Sequence, residues 1–273
     1  VSIVLTASGR EHARGSKASE ALPPELVGRA RLETVPLPHD LAELSLLLVE
    51  ITADPQPEIE QAAASWVGDH ARSASGSAEE WPPSEPSTVR VPLYGTQVLW
   101  TPRRAAVLGE PHRLAAIRDA LVDFATSEAR LRWMEQAVSA ALDDVAVDAP
   151  LATTLDETTL ERAPELARRF VRAITIRTQL ARLAPAVHRP PVHPPTLASQ
   201  VGERLRERAR LADRLEFVDR QAEVVDRVYE LCSQRAGDLT IARRHMRLEW
   251  AIILLLAAEL LVLSVELLAG RSS

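Results

Sequence analysis

Residues 1–24 are rich in small and charged residues with little periodicity. Strand-like stretches follow up to about residue 108, and apolar residues recur three and four apart almost continuously from 156. Residues 30–35 read as a strand that ends in the rigid run Pro36-Leu37-Pro38. Residues 41–51 are apolar almost throughout and fit either a short helix or a buried segment. The clearest hairpin pattern is residues 89–93 and 97–101, joined through Tyr94-Gly95-Thr96, where Gly95 can take positive φ. Residues 105–108 add a third strand. Leu114, Ile117, Leu121 and Phe124 then recur at helical spacing, which gives a helix to cover that sheet. From 130 to 149 helix and strand readings compete, and residues 145–151 read as a strand.

Beyond residue 156 the period is helical almost without a break. Leu166, Phe170, Ile174, Arg177 and Ala181 mark one face of a helix that stops before Pro185. The prolines of residues 188–195 remove backbone donors and fix φ, so this stretch is a connector. A second long helix runs from about 197 to the C-terminus, with Gly237-Asp238 as a possible break. Along it Leu215, Val218, Ala222, Val225, Tyr229, Cys232, Ala236 and Leu239 alternate three and four apart, the seam of a coiled coil or helical hairpin. A hairpin with the preceding helix would cover the seam within one chain; a parallel homo-oligomer would cover it equally well. Residues 72–88, rich in Ser, Glu and Pro, have the composition of a flexible linker or long surface loop.

The last apolar stretch, residues 250–269, has twenty residues, the length needed for a hydrocarbon core of roughly 30 Å. Arg243, Arg244 and Arg247 precede it and Arg271 follows, a bias expected to keep the N-terminal bulk cytoplasmic. Trp250 stands where an interfacial aromatic would sit, and the three arginines where anionic headgroups would meet them. Two glutamates, Glu259 and Glu266, oppose the reading. An acidic residue at the centre of a span costs roughly 2.5–3.5 kcal/mol on insertion scales. The twelve Leu, Ile and Val residues of the stretch return roughly 0.3–0.6 kcal/mol each. The totals nearly cancel, so insertion needs association that hides the glutamates, or their protonation. The competing expectation is an apolar helix buried in an oligomer.

The run Arg247-Leu248-Glu249-Trp250, with Ile252-Ile253 and Glu259 after it, resembles the C-terminal signature of the family named for being required for meiotic nuclear division, also known as domain of unknown function 155. Glu259 stands nine residues after Trp250, as the signature's glutamate follows its aromatic. Val91-Pro92-Leu93 and Val98-Leu99-Trp100 are similar to its strand pair. Residues 166–183 and 211–231 are similar to its central and penultimate helices. The proline-rich stretch at 188–195 departs from the family's pattern of an aromatic, prolines and acidic residues. The resemblance implies a membrane-associated, oligomeric α+β protein, with eukaryotic relatives that support translation in mitochondria. It implies no catalytic residues.

Composition narrows the chemistry. A net charge of −6 argues against a dedicated nucleic-acid binder, and one cysteine, Cys232, excludes an internal disulfide or a Cys-x-x-Cys site. No signal-peptide pattern opens the chain at Val1, which leaves a preceding targeting peptide open. Phosphate-loop, dinucleotide, zinc-protease and serine-hydrolase motifs are lacking. His188 and His193 have no Cys or carboxylate beside them, and Asp143-Asp144 and Asp156-Glu157 suit caps or loops better than acid–base work. Arg204, Arg206, Arg208 and Arg210 alternate with Glu203 and Glu207, the pattern of a charged helix face or, alternatively, of an RNA-backbone contact.

The expected architecture is an α+β domain over 1–152, a helical hairpin or coiled coil over 153–249 and a membrane helix over 250–269. The function expected with it is a membrane-anchored, homo-oligomeric scaffold without enzymatic activity, cofactor or metal. An RNA- or ribosome-associated tether and an enzyme with an unrecognised site stand as alternatives.

Overall fold

The computed structural model describes residues 22–38, 43–51, 57–74, 88–153, 161–189 and 194–270. Five strands form one sheet: β1 (Ala30–Pro36), β2 (Glu43–Glu50), β3 (Val89–Leu93), β4 (Thr96–Trp100) and β5 (Arg104–Gly109). Among the described residues five helices accompany them: α1 (Pro57–Ala74), α2 (Pro111–Thr153), α3 (Ala163–Val187), α4 (Leu197–Arg208) and α5 (Leu211–Gly270). The strand order is β1-β2-β5-β4-β3, with β2 parallel to β5 and every other pair antiparallel. A parallel pair needs a crossover, and the chain between β2 and β5, which includes α1 and the β3–β4 hairpin, supplies it.

The sheet is buried on both faces. Leu47, Val49, Leu99, Ala106 and Leu108 pack with Ile59, Ala63, Trp66 and Val67 of α1 and with Leu26, which lies in a short 3-10 turn (Pro24–Leu26). Alternation turns Leu46, Val98, Trp100 and Val107 to the other face. There the Phe124 ring of α2 meets Trp100 edge-on, with centroids 4.9 Å apart. Arg104 seals the α1 side: its guanidinium lies 4.8 Å from the Trp66 ring centroid, and its Nη1 donates to the Trp66 carbonyl at 2.7 Å.

Two-sided burial explains β2. The apolar run at 41–51, expected as a short helix or buried segment, forms a central strand with four consecutive buried residues, Leu46 to Val49. The hairpin turns on Tyr94 (φ +46°) and Gly95 (φ +74°), and two successive positive φ values match the right-handed twist of the flanking strands.

The chain divides into two compact units. One comprises residues up to 136 with 179–219; the other comprises 137–178 with the chain from 220 onward. In the first, α4 lies against β3. Its N-terminus is closed by a capping box, with Ser199 N donating to Thr196 Oγ1 at 3.1 Å and Thr196 N to Ser199 Oγ at 3.0 Å. The helix expected to run unbroken from 197 instead breaks at Arg210, whose φ is +51°. No glycine or proline marks that break. After it Arg214 grips α2, with Nε and Nη2 donating to the two Glu135 carboxylate oxygens at 2.8 and 2.7 Å. Its Nη1 reaches the buried Glu128 at 3.4 Å, and Arg132 holds the same carboxylate. Burial opposes the Arg214 charge, but Glu135 and Glu128 outweigh it and hold the guanidinium above its ordinary value.

Several expectations need correction. Residues 145–151 are helical, inside α2, which runs for 43 residues. The helix expected to stop before Pro185 includes it in its last turn. Gly237-Asp238 does not interrupt α5. The expected linker lies outside the described residues from 75 to 87.

The largest correction concerns the C-terminus. A small β+α region followed by long helices is what the structure contains, but among the described residues no helix is long and apolar enough to cross a membrane. The charge-free run from Trp250 ends at Ala258, nine residues and about 14 Å of helix, before Glu259 interrupts it. A span needs about 20 predominantly apolar residues. The membrane helix, the tail anchor, the lipid partnership, the single-pass topology with a cytoplasmic N-terminal bulk and the membrane-anchored scaffold are therefore withdrawn.

Phe124→Ala is expected to destabilise the first unit by about 3–5 kcal/mol, since it opens a void and removes the edge contact with Trp100. Urea unfolding followed by circular dichroism measures the loss, and a change below 1 kcal/mol would contradict the packing described.

Candidate interaction surface on the C-terminal helix

The second unit is organised around one carboxylate. Asp148, on α2, has no exposed surface. Its Oδ1 accepts from Arg162 Nη2 at 2.7 Å, just before α3 begins, and its Oδ2 accepts from Arg169 Nη1 on α3. Tyr229 of α5 donates its hydroxyl to Oδ2 at 3.3 Å. Cys232, one turn on, lies with Sγ 4.0 Å from the Asp148 carbonyl oxygen. Around this centre Arg169 also reaches Glu165 at 2.8 Å and Asp144 at 3.5 Å, and Arg172 reaches Asp144 at 3.6 Å.

The electrostatics follow from burial and from Asp148. Burial works against the Arg169 charge, yet the hydrogen bond and charge of Asp148 more than offset it and raise the guanidinium. Burial, reinforced by the Asp148 charge, pushes the Tyr229 phenol up to about 12. The same two causes raise the Cys232 thiol, which keeps it a protonated and unreactive packing residue. The carboxylate is saturated by donors and shut off from solvent, so the cluster joins helices and offers no room for a substrate.

The seam read from the sequence is covered as far as this cluster extends. Leu215, Val218, Ala222, Val225, Tyr229 and Cys232 are each at most 4% exposed. The hydrogen bonds of Arg214 and Tyr229 to α2 identify part of the cover as this chain itself. Ala236 and Leu239 are half-buried. Beside them a cleft of about 430 Å³, open to solvent, is lined chiefly by small residues, among them Ala163, Ala167, Ser233 and Gly237, with Arg244 at its rim. It brings together no acid–base pair and no nucleophile.

Past this point α5 exposes its apolar residues. Eleven large apolar side chains, from Ile241 and Met246 to Leu260 and Leu261, are each more than half exposed, with Trp250 at 60% and Leu255 at 69%. Ile252 through Leu256 are five in succession, so they occupy every side of the helix. The residues singled out from the sequence, Arg243, Arg244, Arg247, Leu248, Glu249, Trp250 and Glu259, are all here and all exposed. Nothing in the sequence pattern showed that the cover of the seam would end partway along it.

The remaining candidates resolve simply. Arg204 and Arg210 are paired along their own helices with Glu207 at 3.0 Å and Asp213 at 2.9 Å, so the arginine run gains no support as an RNA contact. Arg206 is half-buried, and burial, with the like charge of Arg189, lowers its guanidinium. No group of metal-ligating side chains occurs among the described residues. His193, Asp156 and Glu157 lie outside them. No family model matches the chain, and no curated protein matches it significantly.

Asp148→Asn is expected to cost about 3–5 kcal/mol, because two guanidinium groups lose their buried counter-charge. Asp144→Asn, at a partly exposed pair, should cost about 0–1 kcal/mol; equal losses in urea unfolding would contradict the central place given to Asp148. The raised phenol of Tyr229 gives a pH dependence of defined sign. Its contribution is fully present below the unfolded tyrosine value of about 10 and is lost as pH rises from there through about 12, because the unfolded chain releases the proton first. Unfolding midpoints measured across that interval should fall for the wild type and fall less for Tyr229→Phe.

Proposed function

We propose that this protein acts by binding another protein chain, with the apolar end of α5 as the binding element. The observation that supports this reading is the run of eleven exposed apolar side chains between Ile241 and Leu261. Monomeric proteins rarely expose contiguous apolar patches beyond roughly 300–600 Å². Eleven large apolar side chains, each more than half exposed, lie between residues 241 and 261 of one helix. A helix apolar on all sides is stable in water only when buried, either in a bilayer or in protein. No helix among the described residues is long and apolar enough to cross a membrane, and a protein partner is the cover this reading takes.

The rest of the chain suits a presenting role. The sheet and its covering helices form a packed unit, and the Asp148 cluster ties α5 to α2 and α3 before the apolar end begins.

A photo-crosslinking amino acid in place of Ile253, introduced into the full chain in cells, is expected to give a discrete protein adduct. The adduct should be abolished by Leu260→Glu, seven residues away on the same helix face. No protein adduct, or one indifferent to Leu260→Glu, would remove the reading.

A further inference from the structure

We propose that the outer edge of β1 takes an extended segment of another protein as an added strand of the sheet, a surface separate from the apolar end of α5. The two edges of the sheet differ. Helix α4 lies against β3, whereas among the described residues β1 pairs with β2 alone. The phase of that pairing is fixed by the bonds around β2. Glu50 N donates to the Arg29 carbonyl at 3.0 Å, on the β1 side. Ser45 N and Ile51 N donate on the other side, to the carbonyls of Arg103 and Gly109, both at 2.9 Å. In an antiparallel ladder hydrogen-bonded pairs recur every second residue. Arg31, Glu33 and Val35 therefore turn their backbone groups to Leu48, Leu46 and Leu44. Ala30, Leu32 and Thr34 turn theirs away from the sheet. Pro36, which has no N–H, stands in this outward phase, where a proline costs no ladder bond.

The side chains say what the added strand carries. Edge strands are ordinarily blunted by a bulge, a covering element or charge. All seven residues of β1 pair one to one with β2, so no bulge twists the edge away. Its two charges, Arg31 and Glu33, share one face, where the buried Glu33 accepts from Arg118 of α2 at 2.9 Å. On the opposite face Ala30 and Leu32 pack against the core under α1, yet both are only half-buried. A strand laid beside them covers them with apolar side chains of its own. Beside Arg31 it places a carboxylate. The Arg31 side chain is 49% exposed and reaches only Glu33, at 3.3 Å, a group it shares with Arg118. Opposite Glu33 the partner is uncharged, because like charges across strands are unfavourable. The partner is thus an extended segment with alternate apolar residues and one acidic residue on its other face. Main-chain hydrogen bonds supply the affinity and the side chains the register.

Amide hydrogen exchange of the full chain is expected to alternate along β1. Leu32 and Thr34 should exchange about tenfold faster than Arg31, Glu33 and Val35, whose N–H groups are tied to β2. Equal protection of all five would mean that the edge is already covered, and overturns the proposal. The probe for binding is the blocked peptide VTVTVEV. In antiparallel register it sets valines opposite Ala30, Leu32, Thr34 and Pro36, and its glutamate opposite Arg31. It should bind saturably, slow the Leu32 and Thr34 amides, and fail to bind when its valine amides, which face β1, are N-methylated. Methylation of its outward threonine amides should leave the affinity within about twofold. Arg31→Glu should weaken binding about fivefold, and a peptide with lysine in place of glutamate should restore it. Thr34→Pro removes an outward donor and leaves the β2 ladder intact, so it should weaken binding about fivefold with the circular dichroism spectrum unchanged. No saturable binding, or binding indifferent to methylation of the valines, overturns the added strand.

Discussion

A long helix is held in place only along the length that has something to lie against, because tertiary packing supplies most helix stability in a folded protein. Here α2 and α5 run for 43 and 60 residues, and their character changes along their length with what covers them. Where α2 meets the sheet, Phe124 closes on Trp100. Further on, the same helix carries Asp148, held by arginines from the start of α3 and by Tyr229 of α5. Where α5 has these partners its stripe is dry. Past them, with no change of spacing, the stripe is exposed.

The two carboxylate clusters do not owe their place to net stability. Removing a carboxylate from water costs several kcal/mol, and an apolar replacement of the same shape is often as stable. What they fix is level. An apolar stripe that repeats every seven residues can slide by a heptad at little cost, since leucine-like contacts recur. Arg214 against Glu135 and Glu128, and Arg162 and Arg169 against Asp148, are satisfied in one register. A slip of one turn would leave buried charges without partners, at a cost of the order of 3–5 kcal/mol.

The parts of the fold legible in the sequence are those fixed by local pattern. Strand β1, the hairpin of β3 and β4 and the seam of α5 follow from periods of two or of three and four, while β5 reads as a short apolar run after the hairpin. The central strand β2 was ambiguous because burial on both faces erases alternation, leaving an apolar run without a period. The valines at 145 and 147 favour strand locally, yet Val145 is buried in α2 and Asp148 beside them is held by Arg169 and Tyr229, 21 and 81 residues away. Such partners leave no mark within a local window. Neither does the break at Arg210, where the positive φ falls on a residue that sequence rules would not select.

In the C-terminal stretch the count of apolar residues and the placement of charge among them point in different directions. Counting apolar residues from 250 to 269 matches the thickness of a bilayer, whereas the position of Glu259 limits the charge-free run to nine. A carboxylate at the middle of a span is expensive wherever it faces. On a helix paired with another helix it is cheap, provided it lies to one side of the stripe. Glu259 lies immediately before Leu260 and two residues after Ala257, between the two stripe positions but turned away from them by the helical rotation. Trp250, Ile253, Ala257 and Leu260 thus form a continuous apolar edge that the glutamate does not interrupt. The residue order that interrupts the apolar run with Glu259 therefore still leaves an apolar edge that another helix can cover.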